Sequence, residues 1–123
     1  MAGTIQLDVS LNVANAPFSF PWSASFSGNQ TNRGMSAPLH YLTTSEEVID
    51  PGEVANPGQV ILHNIGDPED PSIIWGPESG GAMVALGRIP PGKFAVWDLN
   101  PGTVLRAKAV AGQATFQTYF FEM

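Results

Sequence analysis

The chain has 123 residues, of which 43% are hydrophobic, so its length and composition predict one domain with a single core. Its net charge is −6 and it has only 5 lysines and arginines, so it lacks the basic surface that nucleic-acid binding requires. The absence of cysteine excludes disulfides, thiolate metal sites and a cysteine nucleophile. We therefore expect one domain over residues 1–123 and no nucleic-acid partner.

The beginning of the chain lacks the features of a leader or a membrane segment. No basic residue occurs near its start, and its apolar stretches are a few residues long, against the roughly 20 that span a bilayer. We expect a soluble, leaderless protein without a membrane partner.

Strict alternation of apolar and polar residues predicts two strands, over residues 5–13 and 18–26. Pro21 cannot donate a backbone hydrogen bond, which predicts an edge strand or a bulge at that position. We expect the apolar face of the two strands to be buried in the core. The residues assigned to this face are Leu7, Val9, Leu11, Phe20, Trp22 and Phe26.

Shorter strands are predicted along the rest of the chain, after a polar loop over residues 28–37. They cover residues 39–43, 60–63, 73–75, 83–86, 94–99, 104–110 and 115–121. Only residues 45–49 have any helical character, and this segment is too short to be stable alone.

Four Pro-Gly turns separate these strands, at Pro51-Gly52, Pro57-Gly58, Pro91-Gly92 and Pro101-Gly102. A type II turn needs positive φ at its third residue, so we expect positive φ at Gly58 and Gly102. Eight or nine short strands with these turns predict an all-β fold. We expect a single-domain antiparallel β-sandwich of jelly-roll type.

The residues that most often carry chemistry form no recognisable motif. His40 and His63 are the only histidines, and neither belongs to the His-x-His pair of a cupin metal site. No Gly-x-Ser-x-Gly elbow occurs, although a Ser-His-Asp triad is defined by geometry and stays open. Asp67, Glu69 and Asp70 suit a hard cation, but prolines stiffen their loop and the EF-hand pattern is absent. We expect a solvated acidic turn, no catalytic residue, no metal and no cofactor.

The aromatic residues allow two interpretations. Trp22, Trp75 and Trp97, with Tyr41 and Tyr119, are suited to stacking on sugar rings or to packing. Trp22 shares its predicted face with phenylalanines, which favours the core, whereas the direction of Trp97 stays open. We prefer packing for the group as a whole.

The C-terminal segment, residues 114–123, has two faces of which only one can point into a sandwich core. Ala114, Phe116, Thr118 and Phe120 form the better core face. Tyr119, Phe121 and Met123 would then form an outward apolar patch, and such patches are typical of protein interfaces. The alternative is that loops of the same chain cover both faces.

From residue 44 onward the resemblance rests on one succession of turn and strand segments. They are Ser45-Glu46-Glu47, Asn56-Pro57-Gly58, Val60-Ile61-Leu62-His63-Asn64, Ile73-Ile74-Trp75-Gly76, Pro91-Gly92-Lys93-Phe94-Ala95-Val96-Trp97 and Leu105-Arg106-Ala107-Lys108-Ala109. This pattern resembles small β-sandwich virion proteins of tailed bacteriophages, including capsid decoration (cement) proteins. The resemblance covers about two thirds of the chain and supplies no catalytic or ligand-binding motif.

The resemblance implies a structural virion protein that binds the outer surface of a phage capsid and stabilises it. Its partners would be the major capsid protein and further copies of itself, and its location would be the virion, assembled in the host cytoplasm. A tail or fibre β module that contacts host glycans is one alternative. A generic non-catalytic binding sandwich is another.

Overall fold

The structure, a computed structural model, describes residues 3–15, 17–30 and 34–122, and the chain divides into two compact units, Met1–Arg33 and Gly34–Met123. All regular structure in the described residues is β-strand, in 12 strands. None of these residues forms a helix that could cross a membrane. The single domain expected for residues 1–123 stays a prediction, because a division by internal contacts does not by itself set the number of folding domains.

The first unit contains one long hairpin. Its strands are β1 (Gly3–Asn15) and β2 (Phe18–Gln30), of 13 residues each. They pair antiparallel without a break, and Pro21 lies opposite Asn12 with no bulge. In the described part of the chain β2 pairs only with β1, so it is the edge strand that Pro21 predicted.

The second unit contains two five-stranded antiparallel sheets. Sheet I consists of β3 (Met35–Ser36), β4 (Leu39–Leu42), β6 (Pro57–Asn64), β10 (Phe94–Asp98) and β12 (Ala114–Glu122). Its order is β10-β6-β12-β3, and β4 also pairs with β12. The central strand is therefore β12, next to the long strand β6.

Sheet II consists of β5 (Glu47–Ile49), β7 (Ile73–Ser79), β8 (Ala82–Met83), β9 (Gly87–Ile89) and β11 (Leu105–Ala109). Its order is β5-β11-β7-β8, and β9 also pairs with β7. Strand β5 shows that the helical interpretation of residues 45–49 is wrong: the segment pairs with β11 and alternates exposed Val48 with buried Ile49.

The all-β sandwich prediction is confirmed, with more strands than the eight or nine expected. One hydrophobic core contains residues from both sheets, including Phe116, Phe120 and Leu62 from sheet I and Ile73 and Trp75 from sheet II. The chain changes sheet at each step from β4 to β7 and again at each step from β9 to β12. Sequence neighbours thus face each other across the core, which is consistent with the Greek-key connections of jelly rolls.

The prediction of a buried N-terminal seam is wrong. Leu11, Trp22 and Phe26 are 51%, 48% and 43% exposed, and Leu7 and Val9 are only half-buried. The side chain of Phe20, also assigned to the seam, lies outside the described residues. The physical reason is that a two-stranded ribbon has no second layer of its own to cover its apolar face.

The turn predictions have a mixed outcome. Gly102 has φ of 82°, as predicted, and Gly52 and Gly92 also have positive φ. The prediction for Gly58 is wrong, because positive φ is absent there. Pro57 and Gly58 instead begin β6, where Pro57 pairs with Glu122 of β12. Residues 57 and 58 therefore belong to a paired strand and not to a turn.

Candidate functional site

The two faces of β12 are divided as the sequence predicted. Ala114, Phe116, Thr118 and Phe120 are buried in the core between the sheets, whereas Tyr119 and Phe121 lie on the other face and are half-buried. Met123, the third residue of the predicted patch, lies outside the described residues. The interface role of Tyr119, Phe121 and Met123 stays a prediction.

Strand register shows which residues share the outward face of sheet I with Tyr119 and Phe121. Tyr119 lies opposite Ile61, and Ile61 lies opposite Val96. In the next rows Gln117 lies opposite His63 and Leu39, and His63 lies opposite Phe94. We call this surface the outer face. Its apolar members are Met35, Leu39, Tyr41, Ile61, Phe94, Val96, Tyr119 and Phe121.

Exposure is greatest at the rim of the outer face. Tyr41 is 69% exposed, Phe94 62% and Met35 56%. Ile61, Val96, Tyr119 and Phe121, between them, are half-buried by their neighbours on the strands. Contiguous apolar surface of this kind marks interaction sites on soluble proteins.

The outer face carries little charge. Asp98, at the end of β10, is the charged residue among the register positions of this face, and its Oδ1 accepts a hydrogen bond of 3.4 Å from Nε2 of Gln59. The His63 ring lies edge to face against the Phe94 ring at 6.3 Å. A partner would therefore be held here by apolar and aromatic contacts.

The outward face of sheet II has the opposite character. Ile74 of β7 lies opposite Arg88 on β9 and opposite Lys108 on β11, the two strands that pair with β7 at this position. Arg106 donates two hydrogen bonds to Oε1 of Glu78, from Nε at 3.0 Å and from Nη2 at 2.6 Å. Cationic side chains on one sheet and apolar side chains on the other give the sandwich two chemically distinct surfaces.

The two histidines do not converge on a site. His40 lies on the core side of β4, opposite Phe116, whereas His63 lies on the outer face. Nε2 of His40 is buried without a hydrogen-bond partner. Desolvation lowers the pKa of His40, although the carboxylates of Glu47 and Asp50 oppose this effect. Because burial favours its uncharged form and its Nε2 has no hydrogen-bond partner, we interpret His40 as a packing residue.

The acidic turn is held by its own hydrogen bonds. Oδ2 of Asp70 accepts a hydrogen bond of 2.8 Å from the backbone N–H of Asp67, and the backbone N–H of Asp70 donates back to the Asp67 carbonyl at 2.9 Å. Asp67, Glu69 and Asp70 are all exposed. Within residues 3–15, 17–30 and 34–122, no group of three or more acidic or histidine side chains is placed to hold a metal ion.

The tryptophans pack within the sandwich, and a cleft in the same unit contains no catalytic pair. Trp75 is buried, and Trp97 of sheet I packs edge to face against it at 5.7 Å, which settles the direction of Trp97. A cleft of about 500 Å³ lies beside Pro57, Gly102 and Phe120, and its one ionisable lining residue is Asp50. This cleft provides no pairing of a nucleophile with a base.

Comparison with known protein families, with curated proteins and with solved structures found no match.

Proposed function

We propose that this protein is a structural virion protein that binds the outer surface of a bacteriophage capsid and stabilises it, with the major capsid protein as its partner. The outer face of sheet I is the docking surface. The observation that carries the proposal is the exposed apolar rim of this face, above all Tyr41, Phe94 and Met35, on a sheet whose other side is already filled by the core.

The physical requirements of a decoration protein agree with this surface. Such a protein needs a rigid sandwich and one face that loses water on docking, and aromatic and methionine side chains are enriched in the buried centre of interfaces. The net charge of −6 keeps the chain from competing for packaged DNA. The resemblance to phage virion proteins begins at residue 44 and so falls within the sandwich unit, Gly34–Met123.

A tail or fibre module that contacts host glycans is the second candidate. The exposed rings of Tyr41 and Phe94 favour it, because aromatic faces on a sheet suit stacking against sugar rings. The two candidates use the same face and differ in the partner.

The test uses particles of the encoding phage prepared without this protein, mixed with the purified chain and sedimented. We expect the wild-type chain to sediment with the particles. Phe94→Ser and Phe121→Ser should weaken binding about 30-fold, as truncation of an aromatic side chain that anchors an interface does. Val48→Ser is the matched control, because Val48 is an exposed apolar residue on the outward side of sheet II.

Absence of wild-type binding to the particles would contradict the proposal, as would equal losses in Val48→Ser and Phe94→Ser. Binding to a glycan array without binding to the particles would favour the second candidate.

A further inference from the structure

Strand β10, at the edge of sheet I, lacks the features that usually protect a sheet edge. In the described part of the chain it pairs with β6 alone. The other outermost strands of the two sheets, β3, β4, β5, β8 and β9, are shorter than β10, which has five residues without a proline, a lysine or a break in register. Short strands, prolines, lysines and bulges keep sheet edges from pairing with other chains. The edge of β10 is therefore suited to pairing with one more strand.

The hydrogen bonds to β6 show which backbone groups of β10 point towards this edge. The carbonyl of Lys93 accepts a hydrogen bond of 3.1 Å from the N–H of Asn64. The N–H of Leu99 donates one of 2.6 Å to the carbonyl of Gly58. Backbone groups alternate in direction along an antiparallel strand, so every second residue between these two points away from β6. These residues are Phe94, Val96 and Asp98.

We infer that β10 of a second copy of this chain pairs antiparallel with this edge, so that two copies share one continuous sheet. A row of free N–H and C=O groups is complementary to another extended backbone. With Val96 opposite Val96 of the other copy, all five residues of β10 are paired, and Phe94 lies opposite Asp98. Every edge-directed N–H and C=O of the strand then has a partner, whereas a shift by two residues leaves one end of each strand unpaired.

The side chains of β10 fit this register. Trp97 packs against Trp75 and is still 46% exposed, so part of its indole ring is uncovered. In the pair, Trp97 lies opposite Ala95 of the other copy, whose small side chain leaves room for the ring. This is a pair without direct hydrogen bonds, in which facing side chains approach most closely. Asp98 lies opposite Phe94, so the carboxylates of the two copies do not meet.

The symmetry of the contact orients the two copies. Identical strands that pair antiparallel within one sheet are related by a two-fold axis perpendicular to that sheet. The outer faces of both copies therefore lie on the same side of the shared sheet. The inference goes beyond capsid binding and does not rest on it, because the contact uses the backbone of β10, within the unit Gly34–Met123.

Light scattering on the full-length chain over a range of concentrations tests the inference. The wild-type chain should have the mass of a dimer. Val96→Pro removes the N–H that donates across the two-fold axis and leaves the hydrogen bonds to β6 in place, since proline is tolerated on an edge strand where its nitrogen points outward. This variant should therefore raise the dissociation constant about 100-fold.

Val48→Pro is the matched control on β5, an edge strand of sheet II. The N–H of Glu78 donates to the carbonyl of Val104 at 2.8 Å, so the next residue, Leu105, bonds to β5 on the other side. Leu105 lies opposite Ile49, and the N–H of Val48 therefore points away from β11. Val48→Pro should keep the wild-type mass. A monomeric wild-type chain, or equal dissociation constants for the two proline variants, would overturn the inference.

Cross-linking tests the register and gives an answer even if Val96→Pro fails to fold. The chain has no cysteine, so a single introduced thiol reports only on its own position. Val96→Cys places the two thiols opposite each other at the two-fold axis, whereas Phe94→Cys places them roughly 13 Å apart along the strands, beyond the reach of a disulfide.

Val96→Cys should therefore form disulfide-linked dimers on mild oxidation at least about tenfold faster than Phe94→Cys. Phe94 is the more exposed of the two side chains, so random collisions between copies would give the opposite order. Equal rates, or a faster reaction of Phe94→Cys, would overturn the inference.

Discussion

The indole rings of Trp75 and Trp97 meet edge to face across the sandwich, with centroids 5.7 Å apart and planes at 71°. Trp75 belongs to β7 of sheet II and Trp97 to β10, an edge strand of sheet I. Gly87 borders the same ring, since a Cβ there would lie 2.6 Å from Nε1 of Trp75. The contact holds the edge of one sheet against the middle of the other, and the edge strand that makes it, β10, also carries Phe94.

Removing either ring should weaken the sandwich by different amounts. Trp75 is 4% exposed, so Trp75→Ala should lower the free energy of unfolding by about 3–5 kcal/mol. Trp97 is 46% exposed, so Trp97→Ala should cost less, and Trp97→Phe should recover most of the loss by keeping an aromatic edge contact. Urea unfolding followed by circular dichroism measures these differences. A larger loss for Trp97→Ala than for Trp75→Ala would contradict this account.

A glycine turn provides the second prediction. Gly102 has φ of 82°, and a Cβ at this position would meet no neighbouring atom within 4 Å. Gly102→Ala should therefore lower the free energy of unfolding by about 1 kcal/mol through backbone strain alone. Gly102→Asn should cost less, because asparagine tolerates positive φ. Gly58→Ala carries no such penalty, since positive φ is absent at Gly58. Equal losses for the two alanine variants in thermal unfolding would show that strain is not the cause.

Asn64 provides a third prediction. Its buried amide donates to the carbonyl oxygens of Ile89 at 3.0 Å and Pro71 at 3.1 Å, and its Oδ1 accepts from the backbone N–H of Gly66 at 3.0 Å. Asn64→Leu should therefore cost about 2–5 kcal/mol, because it leaves these backbone groups without partners. The exposed Gln113 is the matched control, and Gln113→Leu should change stability by no more than about 0.5 kcal/mol. Similar unfolding midpoints for the two variants would show that the amide network contributes little.

Period-two alternation accounts for much of what the sequence predicted. It located β1 and β2 within a few residues and assigned both faces of β12, because alternation separates two sides of a strand. Alternation does not show what covers a strand face. The same pattern therefore predicted, wrongly, that Trp22 and Leu11 are buried. The two-residue strand β3 was missed, since it is too short to show any period. The strand predicted over residues 83–86 overlaps the two-residue strand β8 only at Met83.

The candidate docking surface was only partly predictable. Tyr119 and Phe121 were found from the alternation of their own strand. Phe94 and Tyr41, the most exposed members of the outer face, were not assigned to it, because that requires the order of strands in the sheet. The alternation of Leu39, His40, Tyr41 and Leu42 did contain the signal, since it places Tyr41 on the side away from the core residue Leu42.

The last prediction concerns acid stability and His40. Desolvation lowers the pKa of His40 in the folded chain, so between that lowered pKa and the ordinary value of about 6.5 the unfolded chain binds a proton that the folded chain does not. The contribution of uncharged His40 to the free energy of unfolding is therefore fully present above pH of about 6.5. It is lost as the pH falls through the lowered pKa of the folded chain.

The experiment uses a His63→Gln background, in which His40 is the only histidine. Urea unfolding at steps from pH 7.5 to about 5.5, above the usual range of carboxylates, should show the free energy of unfolding falling with pH. Adding His40→Gln should flatten this dependence, because glutamine has no proton to gain, and its amide can fill the place of the imidazole. The carboxylates of Glu47 and Asp50 act in the opposite direction, so Glu47→Gln should steepen the fall by removing a charge that favours the protonated ring. A pH dependence that is the same with and without His40 would show that this partly buried imidazole does not set the acid limit of the fold.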